Sequence, residues 1–347
     1  MEEAQAKLSW FAVIVTLIGV MALNLGAVLT YDFYTHPLVT SDRLIELRKG
    51  DSLANFSQTL HAQNLLPHPL FFRYMAHLQG KAAALRAGEY NVPKGATAAD
   101  LLTLLVSGKQ VLHAFTILEG WHWADLKTAL AQSQFLIDTA RLEDEAALMS
   151  SLELPHQTLE GAFWPETYFL AKGTSVMVLL KQSHTLLQNK LNAMWERRTV
   201  KLTLKSPQEA VILASIIEKE TALLEERPLV SGVFHNRLKA RMRLQADPTV
   251  RYAVKNFKGS LSKKELQSPS AYNTYTHGGL PPTPIAFVSE TALLAALTPL
   301  STPYFYFVAD GLKGHIFAID YKAHQNNIKA VQVIPTPSLV TTTGVPQ

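Results

Sequence analysis

The sequence predicts an α+β protein: an N-terminal transmembrane helix, a small αβ module, then a larger mixed α+β domain. Three observations predict this. An unbroken apolar run fills residues 8–29, three strand–glycine–helix patterns follow it, and a long capped helix opens a turn-rich region after residue 201. At 347 residues the chain is long enough for two domains.

The apolar run, LSWFAVIVTLIGVMALNLGAVL, contains no charge and only Ser9, Thr16 and Asn24 as polar interruptions. At about 1.5 Å per residue it covers the roughly 30 Å hydrocarbon layer of a bilayer. The rival reading is a cleaved signal peptide, whose apolar core is about 7–15 residues long and ends in a small-x-small site. This run is longer, and Thr30-Tyr31-Asp32-Phe33-Tyr34 offers no such site. The expected division is a stub over residues 1–7, a membrane helix over 8–30 and a connector over 31–42. Lys7 and the amino terminus favour the stub inside and the bulk of the chain outside.

Composition removes several function classes. The net charge is +4 and no block of five or six basic residues exists, so a nucleic-acid partner has little support. The chain has no cysteine, which excludes a thiol nucleophile, a disulfide framework and thiolate metal sites.

The strand–glycine–helix pattern appears in LIELRKGDSLANFSQTL, in RAGEYNVPKGATAADLLTLLVSGK and in HAFTILEGWHWADLKTAL. Gly50, Gly95 and Gly120 suit turns with positive φ, while Ser52 and Thr97 suit helix caps. Asp100, at the third helical position after Thr97, predicts a capping-box variant. The first two units resemble the peptidoglycan-binding LysM arrangement, which sets a LysM-like module at 43–111. Residues 112–200 are read as a helical, aromatic linking part. It holds EGAFWPETYFLAKGTS, whose Phe163, Trp164, Tyr168 and Phe169 suit either a core edge or stacking against sugar rings. Residues 201–333 form the expected core domain, and 334–347, lacking a hydrophobic period, a disordered tail.

In the core domain Ser206 is the expected N-cap, Pro207 fits the first helical position and Glu209 closes a capping box. On a helical wheel of residues 207–224, Glu220 falls amid Ile212, Leu213, Ile216, Ile217, Leu223 and Leu224. Glu218 falls opposite, among Val211, Ala214, Ser215, Thr221 and Ala222. A carboxylate on a face of small side chains can lie on the floor of a cleft; a solvated surface residue is the bland alternative. Glu220 needs a partner if buried, and Arg227 or Arg237 is expected to supply one. Downstream, Asn236, Gln245, Asp247 and Tyr252 cluster around the turn Asp247-Pro248-Thr249. Asn273 and Tyr275 precede a Gly-Gly and a Pro-Pro. Amides and tyrosines beside rigid turns suit a surface that hydrogen-bonds sugar hydroxyls, or a loop network that bonds itself.

ASIIEKET, VFHNRLKARMRLQADPTVRYA, AYNTYTHGGLPP and PYFYFVADGLKGHIF, in this order, resemble the YceG-like family. The likeness extends to the apolar anchor and EGAFWPETY and covers nearly everything except the tail. It implies a membrane-bound lytic transglycosylase that cuts inside nascent peptidoglycan glycan strands, on the periplasmic side of the inner membrane. Glu218 is the implied catalytic acid, and Gln245, Asp247, Asn273, Tyr275, Asn236 and Tyr252 are the candidate substrate contacts. No cofactor or metal is implied, and peptidoglycan synthases are implied partners. After GLPP the family continues Gly-Pro-Ile and soon Asn-Pro-Gly, where this chain has Thr283-Pro284-Ile285 and Phe287-Val288-Ser289. Two rivals stand beside this reading. A muramidase would need a second carboxylate, with Glu160, Glu166 and Asp247 as candidates. A cell-wall-binding scaffold would need none.

Overall fold

A computed structural model describes residues 2–154, 158–254 and 259–333. The expected tail at 334–347 lies outside the described residues. The chain divides into two compact units, one of residues 1–113 with 169–174, the other of residues 114–168 with 175–347.

The first unit begins with helix α1 (Glu2–Thr35). The apolar stretch Trp10–Thr35 has a mean hydropathy of 2.4, and its most apolar part buries nothing within the protein. The helix runs past residue 30, so the expected connector is helical for its first residues. No proline interrupts it before Pro37, and the residue preceding a proline disfavours helical backbone. Its last turn enters the core of this unit. Phe33 is buried, and its ring meets Phe71 and Phe72 at 6.2 and 6.3 Å.

Strand β1 (Arg43–Leu47), helices α2 (Leu53–Ala62) and α3 (Pro69–Leu78), strand β2 (Gly88–Val92) and helix α4 (Ala98–Ser107) follow. β1 and β2 pair antiparallel, with Ile45 opposite Tyr90. Ile45, Leu47, Tyr90 and Val92 turn inward onto Phe56, Leu60, Phe72 and Leu102, the alternation expected of strands with one buried face. The expected caps form. Ser52 Oγ accepts from Asn55 N–H, and Thr97 and Asp100 close a reciprocal capping box. Gly50 and Gly95 hold φ of +92° and +81°, the left-handed turns that glycine permits.

The second unit packs α5 (Trp123–Gln132), α6 (Val176–Glu196), α7 (Pro207–Glu220), α8 (Arg227–Lys239), α9 (Asp247–Ala253) and α10 (Glu290–Leu297). A hairpin of β3 (Tyr306–Ala309) and β4 (His315–Ala318) precedes α11 (Tyr321–Val333). The expected turn at Asp247-Pro248-Thr249 is the opening of α9, with proline in its first turn. α7 is the central rod. Ala210 to Ile217 are all buried, packed against α10 and α8. The segment that departs from the family pattern is part of this core. Ile285 to Val288 are almost wholly buried, and Ile285 N–H donates to Ser215 Oγ at 3.0 Å.

Gly232 on α8 faces the carbonyl of Leu300. A Cβ there would lie 2.3 Å from that oxygen and 2.8 Å from Thr302 Cγ2. Gly232→Ala is therefore expected to destabilise the second unit by about 1–3 kcal/mol, read as a lower midpoint in denaturant with unchanged slope.

Candidate active site

α7 starts as expected and ends early. Ser206 Oγ accepts from Glu209 N–H at 3.2 Å, but the Glu209 carboxylate accepts from Lys205 N–H at 2.6 Å, so the return bond closes one residue before the cap. At the other end Thr221 is extended (φ −136°, ψ 134°). Leu223 and Leu224 are thus not on the helix, and the wheel drawn through them does not apply. Glu218 and Glu220 leave from the final turn of a rod already buried on both sides.

Glu218 does not lie open on a cleft floor. Its side chain is 7% exposed and that of Arg227 is 5% exposed. Arg227 Nη2 donates to Glu218 Oε1 at 2.9 Å and Nη1 to Oε2 at 3.2 Å, a two-point ion pair. Ser289 N–H donates to Oε2 at 2.9 Å, and the Ser289 hydroxyl makes a further short bond to the same oxygen. Arg227 Nη1 also donates to Ser289 Oγ and Thr291 Oγ1 at 2.5 and 2.6 Å. Of the two arginines expected beside Glu220, Arg227 is thus taken by Glu218, which pins the end of α7 to the start of α10, while Arg237 lines the cavity that Glu220 borders.

Glu220 has the opposite surroundings. Its Oε2 is buried with no hydrogen-bond partner among the described residues. Burial, and then the nearby Asp247 charge, push its carboxyl up to about 8 against the partial pull of Arg251 and Arg237. It borders a cavity of about 360 Å³ whose walls include Gln245, Asp247, Tyr275, Arg237 and His315. Tyr275 Oη donates to Asp247 Oδ1 at 2.6 Å. Burial and that same carboxylate push the Tyr275 phenol up. Three of the six residues expected to contact substrate therefore line this cavity with Glu220.

The other three do different work. Asn236 Nδ2 donates to the carbonyls of Thr302 and Tyr304 at 2.8 and 2.9 Å, bracing α8 against the chain before β3. Asn273, fully buried, donates to Leu266 O and Ser268 O and accepts from Tyr275 N–H at 2.9 Å, so it shapes the loop that presents Tyr275. Tyr252 faces a second cavity, of about 690 Å³, lined also by His122, Glu160, Lys219 and Arg251. Glu166 is exposed.

Glu160, one of the candidate second carboxylates, lines this second cavity. It accepts from Trp123 N–H at 3.2 Å and from Tyr252 Oη at 3.4 Å. Burial raises its carboxyl to about 7, from 4.5 in an exposed chain. The folded state therefore holds this proton longer than the unfolded state. That contribution is complete below pH 4.5 and is lost as pH rises toward 7. Glu160→Gln is expected to remove most of a pH-dependent loss of about 3 kcal/mol, seen as a flatter plot of unfolding free energy between pH 5 and pH 8.

Comparison with known proteins converges on one family. The model of the YceG-like family matches residues 45–330. The endolytic murein transglycosylase of Streptococcus pneumoniae strain D39 is 27% identical over 91% of this chain, which spans 64% of that protein's length. The endolytic murein transglycosylase of Bacillus subtilis strain 168 is 29% identical over 81% of this chain and 82% of its own. The crystal structure of a yceG-like protein from Listeria monocytogenes aligns with a TM-score of 0.51 at 24% identity, over 83% of this chain and 99% of that one. With more than three quarters of its length matched by the family model, the chain belongs to the YceG-like family.

Proposed function

We propose that the protein is a membrane-anchored endolytic lytic transglycosylase. It would cleave bonds between N-acetylmuramic acid and N-acetylglucosamine within nascent glycan strands and leave 1,6-anhydro ends. One observation carries the chemistry: Glu220, whose Oε2 has no hydrogen-bond partner among the described residues and whose carboxyl burial raises to about 8, borders a cavity with Asp247, Tyr275 and Gln245. A proton donor to a glycosidic oxygen must still hold its proton at neutral pH. We therefore assign the acid to Glu220 rather than to Glu218, whose oxygens are occupied by Arg227 and Ser289.

In this reading Glu220 protonates the bridging oxygen as the bond to C1 of the muramic residue breaks. The C6 hydroxyl of that residue then closes onto C1 and releases its proton. No water is consumed, and Tyr275 and Gln245 supply hydrogen bonds to the sugar. Residues 201–333 would be the catalytic core. The βααβ order of residues 43–92 supports a LysM-like glycan-binding module, and α1 supports a single-pass anchor in the inner membrane with the bulk of the chain in the periplasm. Contact with peptidoglycan synthases would follow from that placement.

Asp247 beside Glu220 gives the hydrolytic alternative its second carboxylate. Mass spectrometry of strands cut by the purified full chain decides between them. Anhydro ends are expected; reducing ends, heavier by one water, would make the protein a muramidase. Strands bound but unshortened would make it a scaffold.

A further inference from the structure

We propose that His315 is a second proton-handling residue of the reaction: the base that takes the C6 hydroxyl proton while Glu220 serves as the acid. This rests on the lytic reading above and divides between two residues the roles that a single glutamate would otherwise fill in turn.

His315, at the start of β4, lines the same cavity as Glu220. Its ring is fixed by a carboxylate: Nδ1 donates to Glu226 Oε2 at 2.8 Å, and the backbone N–H of His315 donates to Glu226 Oε1 at 2.9 Å. A carboxylate oxygen accepts, so in this bond the ring proton sits on Nδ1 and Nε2 is left as the acceptor. The pair is well sheltered, with side-chain exposures of 11% and 16%. The Phe307 ring stands nearly perpendicular to the imidazole, with ring centroids 5.2 Å apart. A carboxylate that orients an imidazole and stabilises its charged form is the arrangement by which proteins make histidine a base.

The same carboxylate is tied to the acid. Thr221, the residue after Glu220, donates its hydroxyl to Glu226 Oε2 at 3.2 Å. One side chain thus holds both the end of α7, which carries Glu220, and the imidazole that lines the cavity with it. Sequence proximity could not suggest the pairing, since 89 positions separate Glu226 from His315.

The protons balance. Glu220 gives its proton to the departing oxygen of N-acetylglucosamine, and the C1–O bond breaks. The C6 hydroxyl oxygen bonds to C1 and its proton passes to His315 Nε2. The imidazolium then returns a proton, through solvent, to the Glu220 carboxylate, and both groups are restored. Without the base the C6 hydroxyl is a poorer nucleophile, and water competes for C1.

The test uses the full chain in wild-type, His315→Ala and Glu226→Gln forms on purified uncrosslinked glycan strands. The rate and the ratio of anhydro to reducing ends are followed by mass spectrometry, and thermal denaturation confirms folding. His315→Ala is expected to lower kcat about 10²-fold with little change in KM, to raise the share of reducing ends, and to recover at least part of its rate in added imidazole. Glu226→Gln, which keeps the packing but not the charge, is expected to shift the end ratio in the same direction. A folded His315→Ala protein with wild-type rate and end ratio overturns the proposal. So does a loss confined to KM, or one that imidazole does not restore. A wild-type protein that makes no anhydro ends overturns the parent reading, and this one with it, whereas the variant outcomes bear on His315 alone.

Discussion

Glu220→Gln is expected to leave the fold intact and to lower strand cleavage by about 10³-fold at pH 7. Glutamine keeps the shape and the polarity of a protonated carboxyl but has no proton to give. Burial and the Asp247 charge already hold Glu220 neutral up to about pH 8, so the substitution changes little about charge at pH 7. The unfolded chain ionises this carboxyl above about pH 4.5, so wild type loses stability as pH rises from there toward 8, and the variant should already be the more stable protein at pH 7. The difference should be largest above about pH 8, where that loss is complete. The wild-type rate should fall as pH rises through about 8, as the acid ionises. If Glu220→Gln cleaves strands at the wild-type rate while a folded Glu218→Gln does not, the acid returns to the position that the family resemblance first suggested.

Arg227→Met carries the largest expected loss of stability, about 3–5 kcal/mol, read as a fall in Tm of about 10 °C. The guanidinium meets Glu218, Ser289 and Thr291 at once, and its removal leaves the Glu218 carboxylate buried with only the Ser289 donors. Leaving one charge of a buried pair unmatched is worse than removing both. The double variant Glu218→Gln, Arg227→Met should accordingly recover a substantial part of the loss. A single variant that denatures within about 1 kcal/mol of wild type would show that the pair contributes little.

The parts of this protein governed by local chemistry were legible. Ser52, Thr97 with Asp100, and Gly50 and Gly95 act within a few residues of themselves, and each is found in its expected role. What stayed hidden depends on contacts distant in sequence. A helical wheel assumes that the helix continues, and α7 stops at Glu220. It also assumes one wet face, whereas α10 and α8 leave Ala210 to Ile217 none. Arg227 lies nine residues from Glu218 and seven from Glu220, and spacing alone cannot say which it meets. The segment at Ser289 decides it, by adding two donors on the Glu218 side. Tyr275, Asp247 and Gln245 were legible as a group because rigid turns bring polar side chains together. Asn236 and Asn273 share that composition, yet their amides are consumed by backbone carbonyls.

The helix that ends among Phe71 and Phe72 has a mechanical consequence. α1 counts 34 residues, about 51 Å of rod, against roughly 30 Å of hydrocarbon. With Phe33 seated in the core, such a rod in a bilayer is a post rather than a leash. The first unit would ride at one height and one tilt above the headgroups, not sweep the hemisphere that a loose tether allows. A version shortened past Phe33 would lose both the post and a wall of its own interior.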